Sequence, residues 1–271
     1  MVTDIRYGSL KVQSPENIYV FPDIHGEYAQ LCLLLEQIKP YLSYYKTHLV
    51  FCGDYCNRLG ENSPAVLEKL IELKKTYPDR VFCIKGNHEE MLLSTLKGSL
   101  TWFDYSETTL KQMVDVWNLP LEKGKLRSYL KEMFKACEER GIIDFLENLL
   151  PYYESKDTIC THAPLDKSIC SVYSSVKYDQ YYLANKEDPN IKYFLDRMIS
   201  ELTWEFTSED EPYVHIPSIK KLLVCGHQFK QHKQPRMFKD RVFLDTGCGC
   251  VENRPLIALK LPEKKIIKES C

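Results

Sequence analysis

The chain has 271 residues, of which 44% are hydrophobic and 27% charged, and its formal net charge is −2. That is ample apolar material for a core, while near-neutrality and the lack of a dense Lys/Arg tract exclude nucleic acid as an expected partner. No stretch approaches the ~18 apolar residues of a membrane span, and Met1-Val2-Thr3-Asp4-Ile5-Arg6 has no apolar leader segment, so a cytoplasmic protein without a membrane partner is expected.

In chain order, Asn17–Phe21 reads as a strand ending at Pro22-Asp23, and a helix over 27–38 follows with Leu31, Leu34, Leu35 and Ile38 on one face. A second strand over 48–52 ends at Gly53-Asp54. Ser63-Pro64 reads as an N-cap followed by proline at the first helical position, opening a helix to about Thr76. A third strand over 81–85 leads at once into a helical pattern from Glu89 to Leu96. To this point strand and helix alternate, which is the pattern of an α/β protein with a parallel sheet. From about 100 to 150 the pattern turns mostly helical, with Leu130, Met133, Phe134 and Cys137 at helical spacing. This reads as an insertion packed on the α/β core.

A strand over 157–161 then carries His162 at its end. Lys177–Asn190, rich in Tyr and charge, reads as a surface excursion, and 192–204 as a helix. Strands follow over 222–225, 242–244, 256–261 and 266–267, the last two joined as a hairpin by Pro262-Glu263-Lys264-Lys265. Without an internal repeat or a low-complexity linker, one domain over 1–271 is the expected organisation.

The eleven cysteines sit mostly inside apolar runs (Cys52, Cys83, Cys160, Cys225), where a free thiol behaves as a small hydrophobe. Cys248-Gly249-Cys250 lacks the second ligand pair of a zinc site. Cys56 lies inside a polar motif, where its oxidation or alkylation would disturb the neighbouring chemistry.

Five polar stretches follow apolar runs: Asp23-Ile24-His25-Gly26, Gly53-Asp54-Tyr55-Cys56-Asn57-Arg58, Gly86-Asn87-His88-Glu89, Thr161-His162-Ala163 and Gly226-His227. Each alone reads as a turn or a satisfied polar cap. Their joint occurrence at strand-to-loop junctions gathers carboxylate, amide and imidazole donors at one sheet edge. Such a mixture suits Mn, Fe or Zn, and a shared carboxylate can bridge two ions.

These stretches resemble the D-x-H-G, G-D-x-x-D-R-G and G-N-H-E signatures of the calcineurin-like metallophosphoesterases, within that superfamily the phosphoprotein phosphatase branch. Gly86-Asn87-His88-Glu89-Glu90-Met91 is similar to the compact bacterial and phage type. Leu150-Pro151-Tyr152-Tyr153, Gly226-His227 and Asp245-Thr246-Gly247 fit as later pieces, and the resemblance covers about residues 17–261. It implies an α/β/β/α four-layer sandwich of two mixed sheets with a helical insertion. It also implies two divalent ions, Mn²⁺ first and Fe or Zn next. Asp23, His25 and Asp54 would hold the first ion, with Asp54 bridging to a second held by Asn87, His162 and His227. A hydroxide bridging the ions would attack phosphorus in line. Arg58, with Asn87 and His88, would contact the substrate phosphate, and His88 would protonate the leaving oxygen. The implied activity is phosphomonoester hydrolysis, on phosphoserine and phosphothreonine of proteins and also on phosphotyrosine.

Three departures bear on that expectation. Asn57 stands where the family has the Asp that supports the His88-type acid, which implies an imidazole titrating lower and an Asn57→Asp variant gaining more on alkyl than on aryl phosphates. The symmetrical dinucleoside tetraphosphate hydrolases also lack that Asp, so nucleotide hydrolysis competes, as does, from another class, a silent binding module on the same fold. The loop after Trp102, Asp104-Tyr105-Ser106-Glu107-Thr108, lacks the glycines of the bacterial type. Trp204-Glu205-Phe206 lacks its phosphate-binding Arg, for which Arg197 or Arg236 would substitute. An aromatic-lined pocket from Tyr105, Tyr181, Tyr182 or Phe206 would go with such changes. Glu209-Asp210-Glu211 and Lys220-Lys221 read as solvated faces.

Overall fold

A computed structural model describes residues 15–119, 126–165, 200, 202–204, 220–229 and 233–268. The opening strands alternate between two apolar faces. Tyr19 and Phe21 of β1 (Asn17–Phe21), Leu49 and Phe51 of β2 (Thr47–Phe51) and Val81 and Cys83 of β3 (Val81–Cys83) pack against helices. Their alternates Ile18, Val20, Val50 and Phe82 pack the other way, with Cys160, Val224, Val242 and Leu244. A strand buried on both faces is apolar along most of its length, which is why, after Asn17 of β1 and Thr47 and His48 of β2, these runs show no polar alternation.

β1, β2 and β3 run parallel, with Val20 opposite Val50 and Val50 opposite Phe82. β9 (Ile257–Leu261) adds to β1 antiparallel and the hairpin partner β10 (Lys265–Lys268) adds to β9, giving the order β10-β9-β1-β2-β3. The second sheet has the order β4-β5-β6-β8-β7, built from β4 (Tyr153–Glu154), β5 (Thr158–Thr161), β6 (Leu222–Cys225), β7 (Arg236–Met237) and β8 (Arg241–Phe243). Here β5, β6 and β8 are parallel and the edge strands antiparallel. Both sheets are therefore mixed, as expected. Past β3 the chain turns towards the second sheet: Ile84 bridges Leu150, so β3 stops two residues short of the expected Lys85.

The helices α1 (Tyr28–Leu42), α2 (Ser63–Thr76), α3 (Asn87–Leu96), α4 (Phe103–Trp117), α5 (Leu126–Glu139) and α6 (Ile142–Glu147) share one core with the first sheet. The segment expected as a helical insertion is α4 to α6, and Leu110, Met113, Leu130, Met133 and Cys137 continue that core. α1 runs four residues past the expected Ile38 and tolerates Pro40, which is exposed, while Leu42 beyond it is buried. Burial of the last turn outweighs one missing backbone hydrogen bond.

The cap of α2 differs from expectation. The Asn62 side chain accepts from Ala65 N–H at 3.0 Å, and Ser63 is the buried first residue of the helix with its N–H on Gln112 Oε1. Of the four expected layers, described residues build helices, first sheet and second sheet. The excursion 177–190 and most of the helix over 192–204 lie outside the described residues. Among described residues no helix is long and apolar enough to cross a membrane.

Candidate metal centre

Every parallel strand delivers a polar side chain just past its C-terminal end: Asp23 and His25 after β1, Asp54 after β2, Asn87 and His88 after β3, His162 after β5, His227 after β6 and Asp245 after β8. Loops at the carboxyl ends of parallel strands form a shared crevice, because all strands point the same way there. Ile24 and His25 N–H both donate to Asp54 O at 2.9 Å, and Gly226 N–H donates to His162 O at 3.0 Å.

The residues brought together are those the motifs mark. His25 Nε2 lies 3.8 Å from Asp23 Oδ2 and 3.6 Å from Asp54 Oδ2. His162 Nε2 lies 3.4 Å from Asp54 Oδ1. Asp54, His162 and His227 form one group whose donor atoms all fall within 4.8 Å, and Asp54 recurs in a second with His25 and His88. The rings are aimed from behind: His25 Nδ1 donates to Cys56 O at 2.9 Å and His162 Nδ1 to Cys52 O at 2.8 Å, so each Nε2 lone pair faces the centre. Asp23 Oδ1 accepts from His227 N–H at 2.8 Å, and Asp54 Oδ1 from His88 N–H at 3.1 Å.

The backbone is bent to make this arrangement. Among described residues eight non-glycine positions have positive φ, and five are His25, Asp54, Asn57, Arg58 and His227. Left-handed backbone costs an L-residue ~1 kcal/mol or more each, and it persists where packing over-determines it. Close approach matters too: a Cβ on Gly226 would collide with Asp23 Oδ1, and one on Gly86 with Asp54 Oδ1.

The electrostatics call for a cation. Burial, then the charges of Asp245 and Asp54, push the Asp23 carboxyl well above its ordinary range; burial and then Glu89 do the same to Asp54. Burial lifts Asp245 to about 6. The imidazoles shift the opposite way, with burial the largest cause in each. His25 and His227 fall to about 4 and His88 to about 2, with Arg58 adding repulsion, and His162 falls well below its usual value. Crowded carboxylates beside neutral imidazoles are the charge pattern that a divalent ion relieves.

Asn87 gives the sharper test. Its side-chain oxygen lies 3.0 Å from His162 Nε2, whose other nitrogen is committed to Cys52, and the same position is 3.2 and 3.3 Å from the Asp54 oxygens and 3.2 Å from His227 Nδ1. Turned one way, the amide NH₂ would satisfy these acceptors itself. Turned the other, its carbonyl joins a set of lone pairs that a cation holds together. The donor set, oxygen and imidazole from six side chains, fits the divalent ions expected.

Arg58 is exposed at the mouth, and its charge is felt at His25, His88 and His227. Asn57 meets His88, Nδ2 to Nδ1 at 3.0 Å. The Cys56 thiol is buried and pushed well up by burial and then Glu89, so it is not a reactive thiolate. Trp102 packs against Tyr105 and Trp204 with ring centroids 5.8 and 5.3 Å apart, an aromatic group that includes one of the four expected residues. Tyr181, Tyr182, Phe206 and Arg197 lie outside the described residues, as do Glu209-Asp210-Glu211. Arg236 stacks on the Phe243 ring, 4.3 Å from its centroid.

Three residues had no role assigned from sequence. Glu89 accepts from Asp54 and Gly86 N–H with Oε2 (2.8 and 3.0 Å) and from Tyr55 N–H with Oε1 (2.7 Å), tying two loops into one frame. Asp245 lies among the buried carboxylates, with Oδ1 accepting from Gly247 N–H at 2.7 Å. Both sit in stretches read as motif, so the signal was present. Thr109, which binds Asn57, has no local sequence signal.

Two mixed sheets whose parallel strands end at one buried Asp/His/Asn cluster define a metal-dependent phosphoesterase architecture. The sequence profile of the calcineurin-like phosphoesterase family matches residues 16–231, and the chain belongs to that family. A serine/threonine-protein phosphatase, PP2A-like PPG1 of Candida albicans, is 39% identical over 110 residues, which are 40% of this chain and 24% of that protein. The match thus spans about a quarter of the relative's length. Among solved structures, a cold-active protein-tyrosine phosphatase of a psychrophilic Shewanella aligns with TM-score 0.55 at 18% identity, over 100% of this chain and 83% of that one. A structure described as a candidate diadenosine tetraphosphatase gives 0.53 at 17%, over 98% and 97%. A serine/threonine phosphatase of Saccharomyces cerevisiae, similar to human PP5, gives 0.54 at 15%, over 94% and 80%. At these identities the structural likeness speaks for the fold, and the Candida relative supports the phosphoprotein phosphatase branch.

Proposed function

We propose that this chain is a single-domain phosphomonoester hydrolase that works with two divalent ions, Mn²⁺ first, and acts on phosphorylated protein side chains, serine and threonine foremost and tyrosine also. The observation that carries it is Asp54, whose two carboxylate oxygens face separate imidazoles, His25 at 3.6 Å and His162 at 3.4 Å. Asp23, His25 and Asp54 would hold one ion, and Asp54, Asn87, His162 and His227 the other. His88 Nε2 is itself 3.9 Å from Asp54 Oδ2, at the rim of the first set. Bound ions would lower the pKa of water towards ~7 and polarise the phosphoryl oxygens.

The chain's own residues do the rest. The Arg58 fork suits two phosphate oxygens and orients the ester. His88 offers a ring nitrogen to the leaving oxygen. Glu89 keeps the Asp54 and Asn87 loops in register. Nine described cysteines are free, which suits a reducing compartment and supports a cytoplasmic site of action.

A second reading, hydrolysis of a dinucleoside polyphosphate, is favoured by Asn57, because a phosphoanhydride leaving group needs little protonation. Turnover of an aryl phosphate with added Mn²⁺, and its loss in Asp54→Asn, tests the first claim. Wild-type rates in that variant would remove Asp54 from the mechanism, and no metal-dependent turnover at all would leave only a binding role. A panel of phosphopeptides against diadenosine tetraphosphate then separates the two enzyme readings.

A further inference from the structure

This inference rests on the phosphohydrolase reading and concerns Thr109, a buried residue of α4. Its hydroxyl touches Asn57 twice. It accepts from Asn57 N–H at 2.9 Å and lies 2.6 Å from Asn57 Oδ1. A hydroxyl has one proton to give, and with the backbone N–H on its lone-pair side that proton goes to Oδ1. The amide so turned shows its NH₂ to His88, Nδ2 to Nδ1 at 3.0 Å. An amide NH₂ only donates, so Nδ1 accepts with its lone pair and the ring proton resides on Nε2.

We propose that Thr109 and Asn57 are positioning residues that hold His88 as the neutral Nε2–H tautomer. They thereby favour phosphate esters and anhydrides with an acidic leaving group, aryl phosphates such as phosphotyrosine and phosphoanhydrides, and so within the phosphohydrolase reading place phosphotyrosine ahead of the alkyl phosphates of serine and threonine. In the step itself, water oxygen forms the new bond to phosphorus while the bond to the leaving oxygen breaks, its electron pair staying on that oxygen. Nε2–H donates a hydrogen bond to the developing anion and keeps its proton, since a neutral imidazole N–H is too weak an acid to surrender it. The leaving group takes its proton, if any, from solvent. Alkyl leaving groups, which depart poorly as anions, gain little from such a donor.

The tautomer can be read directly by long-range ¹H–¹⁵N correlation on Mg²⁺- or Zn²⁺-loaded protein, with His88 assigned by its loss in His88→Gln. A lone-pair Nδ1 and a protonated Nε2 are expected, kept in Thr109→Ser and lost in Thr109→Val; a protonated Nδ1 in the wild-type protein overturns the proposal. The kinetic arm compares kcat/KM for an aryl and an alkyl phosphate. Asn57→Asp and Thr109→Val should each narrow that ratio by ~10-fold or more, given what proton transfer is worth to a poor leaving group. An equal change on both substrates would mean that the pair only supports the fold, and would overturn the proposal. If Thr109→Val does not fold, the wild-type spectrum, Thr109→Ser and Asn57→Asp decide. No turnover of any phosphate, with the tautomer as expected, would defeat the phosphohydrolase reading and the substrate preference but leave the tautomer assignment standing.

Discussion

Glu89 shows how a side chain outside the donor set can decide whether the set exists. One carboxylate accepts three backbone N–H groups from two loops, and it is buried. A Gln there offers one oxygen and one NH₂, so at least one backbone donor would face another donor. Glu89→Gln should therefore cost ~1–3 kcal/mol of stability, the usual penalty for an unsatisfied buried group. It should also weaken Mn²⁺ binding measured by calorimetry, because Asp54 loses its anchor. Unchanged urea midpoint and unchanged affinity would show the frame to be dispensable. A steric counterpart is Gly226, where an added methyl meets Asp23 Oδ1. Gly226→Ala should displace that carboxylate and abolish metal-dependent turnover while the circular dichroism spectrum stays native.

Among the elements, β2 and β4 share a polar contact inside an otherwise apolar interface. His48 Nδ1 and the Tyr153 hydroxyl are 2.9 Å apart, with the imidazole against the Phe82 ring. Burial first and Arg80 second push His48 down to about 4. A base with a depressed folded pKa stabilises the fold above its unfolded pKa, and that stability drains as pH falls from about 6.5 to about 4. Linkage puts the His48 share of the loss between pH 7 and 5 at ~2 kcal/mol. Urea denaturation at those two pH values should show that difference between the wild-type chain and His48→Gln, whose own slope should be shallower; parallel slopes would remove His48 from the account. This contact also lies beyond what the sequence pattern specifies. β1, β2, β6 and the terminal hairpin were legible because each apolar run is bounded by Pro, Gly or Asp. That His48 pairs with a tyrosine 105 positions away is a matter of tertiary packing, which periodicity does not encode. The cap of α2 was missed by one residue because Asn62 and Ser63 are both good capping types, and only the burial of Ser63 chooses between them. The candidate ligands were legible through their positions after strand ends, whereas Thr109 lies in mid-helix and is joined to the site only by folding.

For the whole molecule, the proposed ions have a structural consequence, since their donors come from both sheets. Asp23, His25, Asp54 and Asn87 follow strands of the first sheet, and His162 and His227 follow strands of the second. Without a cation, three buried carboxylates repel one another, as the upward shifts of Asp23, Asp54 and Asp245 record. Divalent metal should therefore clamp the sheets at their shared edge as well as serve the chemistry. Free ion at ~100 times its dissociation constant adds ~2.7 kcal/mol to the native state. For a domain of this size that corresponds to a rise of roughly 5–10 °C in Tm. Differential scanning calorimetry in Mn²⁺ against chelator should show a rise of that order, abolished in Asp54→Asn because that carboxylate faces both halves of the site. The same variant should melt above the wild-type protein in chelator, since removing one of the crowded anions relieves repulsion that no ion is then balancing. A chelated Asp54→Asn protein that melts lower instead would mean that Asp54 is held mainly by the His88 N–H and loop hydrogen bonds, and the clamp would have to be assigned to the remaining donors alone.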